Sequence, residues 1–305
     1  SDDGYAVDDA INVTARIAYD LTDGVNVYFN YGTGYKAPAI NLSQDTQVPS
    51  MLPDGQVVGR FAGAEDVTVY ELGAKMRFDR GFINIALFDQ KVDGFQTNAF
   101  VGTGFVLANA GKQSVKGFEI EASYSPIDPL NLFMGLTYLD PNYDSYLNAP
   151  CPSAEQRGFN GTDITQSPGF IADEFLQCVA DGEPTVDLTG EDPNSIHPVS
   201  LSTAATYTHD FANGSSLIGR IEYLFESETN LFDGAGPNGP TRKTSTINAN
   251  LLYRMENGFS VNVWGRNLND DDALITAFPG VAQAGTLNGY VVAPRTYGVT
   301  IKKAF

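Results

Sequence analysis

Alternation of apolar and polar residues with a period of two runs through most of this sequence and constrains its fold more than any other feature. From Ile11 to Leu21 every second residue is apolar, and the residues between them are mostly polar. A β-strand places successive side chains on opposite faces, so this pattern predicts a strand with one apolar and one polar face. The turn at residues 22–24 then leads directly into a second strand from Val25 to Gly32.

The same unit of strand, short turn and strand recurs along the chain, and eleven strands can be counted. Short turns join five strand pairs, at residues 22–24, 79–81, 125–129, 212–214 and 256–258. The other connections are long, at residues 37–65, 97–111, 140–197, 227–244 and 268–290. The strand from Phe82 to Phe95 has apolar residues in both alternating sets, so its facing stays ambiguous. Short turns at one end and long loops at the other are typical of outer-membrane barrels.

The composition agrees with a sheet that faces lipid. Hydrophobic residues make up 42% of the 305 residues, charged residues only 18%, and there are 31 Gly, 15 Tyr and 19 Phe. Soluble domains usually carry about 25% charged residues. No apolar run approaches the roughly 20 residues of a membrane helix, so strands would have to span the membrane. The net charge of −19 argues against binding to nucleic acid.

The two faces of the predicted strands differ in what they can contact. Aromatic residues recur at the short-turn ends of the strands and predict an interfacial girdle of Tyr19, Phe78, Tyr124, Phe211, Tyr253 and Phe305. The opposite face carries charge at Arg16, Glu71, Lys75, Glu119, Glu121, Arg220, Glu222, Arg254 and Arg266. A small barrel would have to pack these side chains in its core, whereas a large barrel can hold them in a water-filled or plugged lumen. The predicted fold is therefore all-β, a large transmembrane antiparallel β-barrel.

The sequence lacks the residue patterns of common catalytic and metal sites. It has two His, His197 and His209, and no His-x-x-x-His, Cys-x-x-Cys or Gly-x-Ser-x-Gly arrangement. The run from Asp270 to Asp272 could bind Ca²⁺ through its carboxylates, although such a run is more often a solvated loop. We therefore predict that the protein is not an enzyme and holds no cofactor and no resident metal.

Four further segments carry recognisable motifs, in this order: VYFNYGTGYKAP at 27–38, NAGKQSVKGFEIE at 109–121, VWGRNLND at 263–270 and PRTYGVTI at 294–301. Together they resemble the C-terminal barrel region of TonB-dependent receptors, and the resemblance covers nearly all of the chain outside the loops. It implies a barrel of about 22 strands whose lumen is closed by an N-terminal plug. Residues 1–305 would then be the C-terminal part of that barrel, strands 12 to 22, without the plug, the TonB box and the first strands.

The resemblance also implies a function. Members of this family sit in the bacterial outer membrane and import scarce ligands with energy relayed through TonB from the inner membrane. A ferric siderophore is the favoured ligand, with cobalamin or a carbohydrate also open. The implied partners are TonB with its inner-membrane energising complex, through the missing N-terminal region, the barrel-assembly machinery, membrane lipid and a small-molecule ligand. A passive porin is the alternative function, and an adhesin or structural barrel is a third.

Candidate functional residues follow from the facing of the strands and from this resemblance. The candidate ligand contacts are residues that face inward, where substitutions tune the selectivity of barrels: Tyr28, Arg220, Glu222, Trp264 and Arg266.

Two further pairs of residues have other expected roles. Cys151 and Cys178 lie in one long polar segment and predict a local disulfide, with two free thiols as the alternative. The resemblance implies that the last strand, with Tyr297 and Phe305, carries the signal read by the assembly machinery.

Overall fold

One antiparallel sheet of 11 strands dominates the fold. The computed structural model describes residues 7–40, 50–51, 57–58, 61–101, 104–147, 149–150, 158–159, 162–163, 185–231, 239–279 and 287–304. The strands of the sheet are β1 (Thr14–Thr22), β2 (Val25–Lys36), β3 (Glu65–Phe78), β4 (Gly81–Asp93), β5 (Lys112–Ile127), β6 (Leu130–Ser145), β7 (Val199–Asp210), β8 (Ser216–Asn230), β9 (Thr241–Arg254), β10 (Phe259–Arg266) and β11 (Thr296–Lys303). Each strand pairs with its neighbours in sequence, so the sheet is a meander. No helix in the described ranges is long and apolar enough to cross a membrane.

The positions of the connections confirm the predicted asymmetry of short turns and long loops. All five short turns lie where the sequence predicts them, at one edge of the sheet, and the long connections lie at the other. The predicted loop over 227–244 is too long, because β8 runs to Asn230 and β9 begins at Thr241. The pairing of these two strands continues past a bulge, although their outward residues have become polar. Backbone hydrogen bonds between β8 and β9 therefore extend both strands past the region where alternating apolar and polar residues predict them.

Several of the long connections contain short hairpins of their own. The larger two pair Gln96–Val101 with Gly104–Asn109, and Leu274–Pro279 with Leu287–Val291. The small ones pair Ala39–Ile40 with Phe61–Ala62, Ser50–Met51 with Val57–Val58, Ala149–Pro150 with Thr185–Val186, and Gly158–Phe159 with Thr162–Asp163. The loops at this edge are thus partly ordered extensions of the sheet.

The strand register settles which way the ambiguous strand β4 faces. Ile85 lies directly opposite Ala74 of β3 and Ile120 of β5, and Leu87 lies opposite Leu72. Residues directly opposite each other in a sheet share a face, so Ile85 and Leu87 belong to the apolar face. The remaining apolar set of β4, which includes Phe82 and Phe88, lies on the face that carries the charges.

The apolar face is open to the surroundings instead of being packed in a core. Leu72 is 54% exposed, Leu87 51%, Ile221 53% and Val263 52%. None of the described large side chains is fully buried. A contiguous apolar surface of this extent requires lipid or another apolar partner, as the outer face of a membrane barrel does.

Two belts of aromatic side chains border this apolar face. At the short-turn edge Phe78 contacts Tyr124, with ring centroids 6.1 Å apart, and Phe211 contacts Tyr253 at 6.3 Å, as the predicted girdle requires. Phe305, its sixth predicted member, lies outside the described residues. The sequence interpretation missed a second belt at the loop edge, where two further outward-facing pairs lie, Tyr31–Tyr70 at 5.3 Å and Phe118–Tyr138 at 5.4 Å. The two belts mark both membrane interfaces.

Candidate ligand-facing wall

Four of the five predicted ligand contacts lie close together on the inner face, two on β8 and two on β10. Arg220 lies opposite Asn250, Asn250 opposite Trp264, and Trp264 opposite Gly298, so these residues form one row across four strands. Glu222 and Arg266 lie one inward position nearer the loop edge, on β8 and β10. Asn250 belongs to this wall and was missed, although the alternation of β9 already places it inward.

Three of these side chains form a charged cluster. The Arg220 guanidinium donates to Glu222 at 2.8 Å and to the hydroxyl of Thr206 at 3.0 Å. Arg266 approaches the other oxygen of the same carboxylate at 3.5 Å. Arg266 is also the most exposed of the three, with 61% of its side chain accessible against 27% for Glu222. Arg266 is thus an exposed cation. Among the described residues, Glu222 is its only carboxylate partner, and Arg266 shares that partner with Arg220.

Trp264 lies flat against the wall. A Cβ built on Gly298 would lie 2.6 Å from the indole ring, so the ring occupies the space that a side chain there would need. The indole Nε1 donates to the hydroxyl of Thr300 at 3.1 Å.

A concavity of about 800 Å³ opens beside Trp264 and is lined by residues from three strands: Asn250, Leu252, Arg254, Ser260, Asn262, Trp264, Arg266, Thr296, Thr300 and Lys302. Neither Arg254 nor Lys302 has a carboxylate partner within the described ranges, so this part of the wall is basic.

Tyr28, the fifth predicted contact, lies apart from the others on β2. Its ring covers Gly73 of β3, where an added Cβ would lie 2.3 Å from the ring. Arg16 stacks on the ring at 4.7 Å from its centroid, and the Lys75 ammonium lies 5.7 Å from it. Tyr28 therefore belongs to a second inward cluster, in which two cations lie on one aromatic ring.

The first two resemblance motifs meet in a polar cluster at the loop edge, which we call the first rim cluster. Glu65 is 8% exposed and accepts hydrogen bonds from the Lys36 ammonium at 2.8 Å and the Gln96 backbone N–H at 2.7 Å. The Gln96 amide donates to the carbonyls of Ala37 and Gly63. Since Lys36 and Ala37 belong to the motif at 27–38, this segment ties β2 to the loop hairpin that begins at Gln96.

Asn109, the first residue of the second motif, completes the first rim cluster. Its side-chain oxygen accepts from the N–H of Gly63 at 2.6 Å, and its amide donates to the carbonyls of Gly63 and Gly94. Gly94 and Gly111 have φ of 73° and 103°, which side chains rarely adopt. The motifs at 27–38 and 109–121 therefore fix the bases of two neighbouring loops.

The last two motifs meet in an equivalent arrangement, the second rim cluster. Asn267 is 5% exposed and donates to the carbonyls of Asp271 and Ala293, while its oxygen accepts from the N–H of Asp271. Asp271 accepts from the N–H of Ser245 at 2.6 Å, and Asn269 accepts from that of Ile247 at 2.8 Å. Beyond the end of β10, no described strand pairs with this side of β9. The side chains of Asp271 and Asn269 accept hydrogen bonds from the backbone N–H groups of β9 there, as the backbone of a neighbouring strand would.

The remaining sequence predictions have different outcomes. Asp270 pairs with Arg295 at 3.2 Å, so two carboxylates of the proposed Ca²⁺ run are engaged in the second rim cluster. The described residues contain no group of three or more His, Cys, Asp or Glu side chains that could hold a metal. Tyr297 lies on the outer face of β11 and is 80% exposed. Cys151, Cys178 and Phe305 lie outside the described residues, so the disulfide and the assembly signal stay predictions.

Comparison with protein families gives a match over most of the chain. Residues 2–268 match the family model described as TonB dependent receptor-like, beta-barrel. The matched range includes ten of the 11 strands, both inward clusters and the four predicted contacts that lie together on β8 to β10.

Solved structures with the same fold are receptors and transporters. The ferric yersiniabactin uptake receptor FyuA from Yersinia pestis matches 96% of this chain with a TM-score of 0.68 and 18% identity. BauA, the ferric preacinetobactin receptor from Acinetobacter baumannii, matches 94% with a TM-score of 0.59 and 14% identity. The copper transporter OprC matches 96% with a TM-score of 0.59 and 15% identity. The chain spans 37%, 35% and 39% of the lengths of these three proteins.

Proposed function

The chain belongs to the TonB-dependent receptor family through its β-barrel domain, a family of the bacterial outer membrane, and from this premise we propose that it forms part of an active importer. The complete protein would bind a scarce ligand at the outer surface and import it with energy supplied through TonB. Residues 1–305 would form the C-terminal part of the barrel wall. The first strands, the plug and the TonB-contacting region would come from other parts of the protein.

The two-faced sheet is the observation that carries this proposal. Its outer face is apolar and exposed, and its inner face carries the charged side chains of Arg16, Glu71, Glu119, Glu121, Arg220, Glu222 and Arg266. Charged side chains on the inner face require water or a polar partner there, because an unpaired charge in a dry interior is strongly disfavoured. A lumen large enough for water must be closed to solutes in an energised importer, which is why the proposal includes a plug.

A ferric siderophore is the ligand class that we favour. By name, FyuA is an uptake receptor for ferric yersiniabactin and BauA a receptor for ferric preacinetobactin, and both share the fold of this chain. The basic concavity beside Trp264 and the exposed guanidinium of Arg266 would suit a ligand with anionic oxygens. Copper, cobalamin and carbohydrates stay open as alternative ligands, and OprC, a copper transporter by name, shows that the fold alone does not select among them.

The candidate contacts would have different roles in ligand binding. Arg266 is exposed and shares its carboxylate partner, so it can turn toward a ligand at little expense. Arg220 is held by Glu222 and Thr206, and would mainly fix the position of Glu222. Trp264 and Tyr28 lie against glycines of the wall, so each ring would offer a stationary surface. None of these residues has the arrangement of an acid, base and nucleophile, and we propose no enzymatic activity.

A passive porin is the second candidate function. The same two-faced wall would serve a porin, because an open lumen also tolerates inward charges. The family match favours the importer. The two functions differ in their need for energy: diffusion through an open pore continues without TonB, and import past a plug stops.

Uptake with and without TonB tests the proposal. Cells that express the complete protein would be given ⁵⁵Fe-labelled siderophores of the catecholate, hydroxamate and mixed classes, in strains with and without a working TonB. We expect uptake of one class that falls to background without TonB and weakens several-fold in the Arg266→Ala variant. Equal uptake in both strains would reject the importer and favour the porin.

A further inference from the structure

Two concavities on the inner face reach the short-turn edge, and they differ in charge. The one beside Trp264, of about 800 Å³, is lined by Arg254, Arg266 and Lys302 and by no carboxylate among the described residues. The other, of about 490 Å³, is lined by two cations and two carboxylates. These charged residues are Asp20, Asp23, Lys75 and Arg77. The first concavity is therefore an unbalanced basic site in a chain whose net charge is −19.

The basic concavity extends along the strands from the level of Arg266 to the short-turn edge. Arg266 and Ser260 lie six residues apart on β10, which corresponds to about 20 Å along a strand. Arg254 of β9 and Lys302 of β11 lie directly opposite Ser260 on its two sides. Their Cα atoms are therefore about 10 Å apart, so that both long side chains can approach one anion. The short turns of an outer-membrane barrel face the periplasm, which places this pair at the periplasmic end.

The surface between the two ends is flat and offers hydrogen-bond donors. The indole ring of Trp264 lies over Gly298. Because the hydroxyl of Thr300 accepts from the indole N–H at 3.1 Å, its own proton is left for another acceptor. Two further hydroxyls and an amide come from Ser260, Thr296 and Asn262. Cationic N–H groups beside hydroxyl and amide donors are suited to bind anionic oxygens.

We propose that Arg254 and Lys302 form an exit subsite, which receives the anionic oxygens of the ligand after they leave Arg266 and before the ligand enters the periplasm. This inference rests on the proposed function and adds a step to it. The concavity is continuous from Arg266 to the exit subsite, and none of its described lining residues is acidic. An anion that moves along it is stabilised at both ends, so the exit subsite speeds passage without contributing to the first binding step.

Separate measurements of binding and uptake test the exit subsite in the complete protein. One ⁵⁵Fe-labelled siderophore of each class, catecholate, hydroxamate and mixed, would be used. Binding to cells without TonB gives the Kd, and initial uptake with TonB gives the maximal rate per receptor in the outer membrane. For the double variant Arg254→Gln, Lys302→Gln we expect an unchanged Kd and a maximal rate lower by roughly threefold or more. An unchanged maximal rate, or a Kd that rises in parallel with the loss, would overturn the proposal.

Two matched variants assign the effect to charge at this site. Arg254→Lys with Lys302→Arg keeps both charges and should keep the wild-type rate. Arg77→Gln removes an inward cation at the same level of β3, in the balanced concavity, and should also keep it. A comparable loss of rate in either variant would refute a role for the charges of the exit subsite. If the double glutamine variant does not assemble, Lys302→Gln alone decides, because that side chain is exposed.

Two further readouts separate the exit subsite from its premise and from a role in holding the plug. Wild-type uptake that does not need TonB rejects the importer itself, whereas TonB-dependent wild-type uptake with an unaffected double variant rejects only the exit subsite. Sensitivity of the cells to vancomycin, a large hydrophilic antibiotic, reports an open lumen. If the double variant becomes sensitive, Arg254 and Lys302 hold the plug and the proposal is wrong. Unchanged resistance together with slower uptake supports it.

Discussion

At the scale of single residues, the inner wall combines aromatic rings with glycines on the neighbouring strand. Tyr28 covers Gly73, and Trp264 covers Gly298. A glycine in a strand leaves a gap in the side-chain layer, and a ring from the opposite residue fills it and covers the exposed backbone. These two rings therefore support the wall whether or not they also contact a ligand.

Replacement of the glycine under Tyr28 tests this pairing. Gly73→Ala places a Cβ 2.3 Å from the Tyr28 ring and should force the ring away from the wall. We expect the free energy of unfolding of the complete protein to fall by about 1–3 kcal/mol. Gly32→Ala is the matched control, because it faces the same way and has nothing within 4 Å of the added Cβ. Equal urea midpoints for the two variants would contradict the pairing.

The sequence predicted which residues face inward but not which of them meet. Alternation assigns each side chain to a face from its own strand alone, and this was sufficient for Arg220, Glu222, Trp264, Arg266 and Tyr28. Grouping them requires the register between strands, which depends on turn geometry and on the whole ladder of hydrogen bonds. For that reason the row through Asn250 and the separation of Tyr28 emerged only from the structure.

At the scale of strands and loops, the four resemblance motifs have a structural role. They contribute to the two rim clusters, where Asn109 and Asn267 of the motifs, together with Gln96 and Asp271 outside them, bind the backbone of loops and strand ends. Each cluster lies at the loop edge, where the ladder stops and backbone groups would otherwise lack partners. The motifs thus contribute to fixing the bases of the loops, and of the candidate contacts, Arg220 and Glu222 lie outside them, whereas Tyr28, Trp264 and Arg266 lie within them.

Asn267 is the residue on which the second rim cluster most depends. Asn267→Ala would leave the carbonyls of Asp271 and Ala293 and the N–H of Asp271 without their side-chain partner. We expect a loss of about 2–3 kcal/mol in the free energy of unfolding, because buried polar groups would be unpaired. Asn84→Ala, which removes one exposed bond to Glu121, should cost less than about 1 kcal/mol. Thermal unfolding followed by gel mobility compares them, and similar midpoints would refute this role.

Adjacent residues of one strand should differ sharply in their tolerance of charge. Leu136 faces outward between the two aromatic belts, and Thr137 faces inward opposite Glu119. Leu136→Arg should destabilise the protein by about 2–4 kcal/mol, since it places a cation in the hydrocarbon. Thr137→Arg should be tolerated. The amount of each variant assembled in the outer membrane would show this, and a reversed order would contradict the assigned facing.

At the scale of the whole molecule, most of the fold could be predicted from the sequence because a membrane wall repeats one simple pattern. Eleven strands, five short turns and the outer and inner faces all follow from alternation and turn residues. The strand ends could not be predicted, because β8 and β9 continue above the membrane where both faces are polar. The loop hairpins were missed because their residues do not alternate regularly between apolar and polar, as in the run LITAFP at Leu274–Pro279.

The most direct test of the two-faced wall is a scan with an environment-sensitive probe. Single cysteines would be placed at residues 118 to 123 of β5 in the complete protein, with its native cysteines replaced, and labelled with bimane in outer-membrane vesicles. The emission of the probe should alternate with a period of two. It should resemble that of bimane in lipid at residues 118, 120 and 122, and that of bimane in water at residues 119, 121 and 123. Emission without alternation, or with the opposite phase, would contradict a barrel wall that separates lipid from a polar lumen.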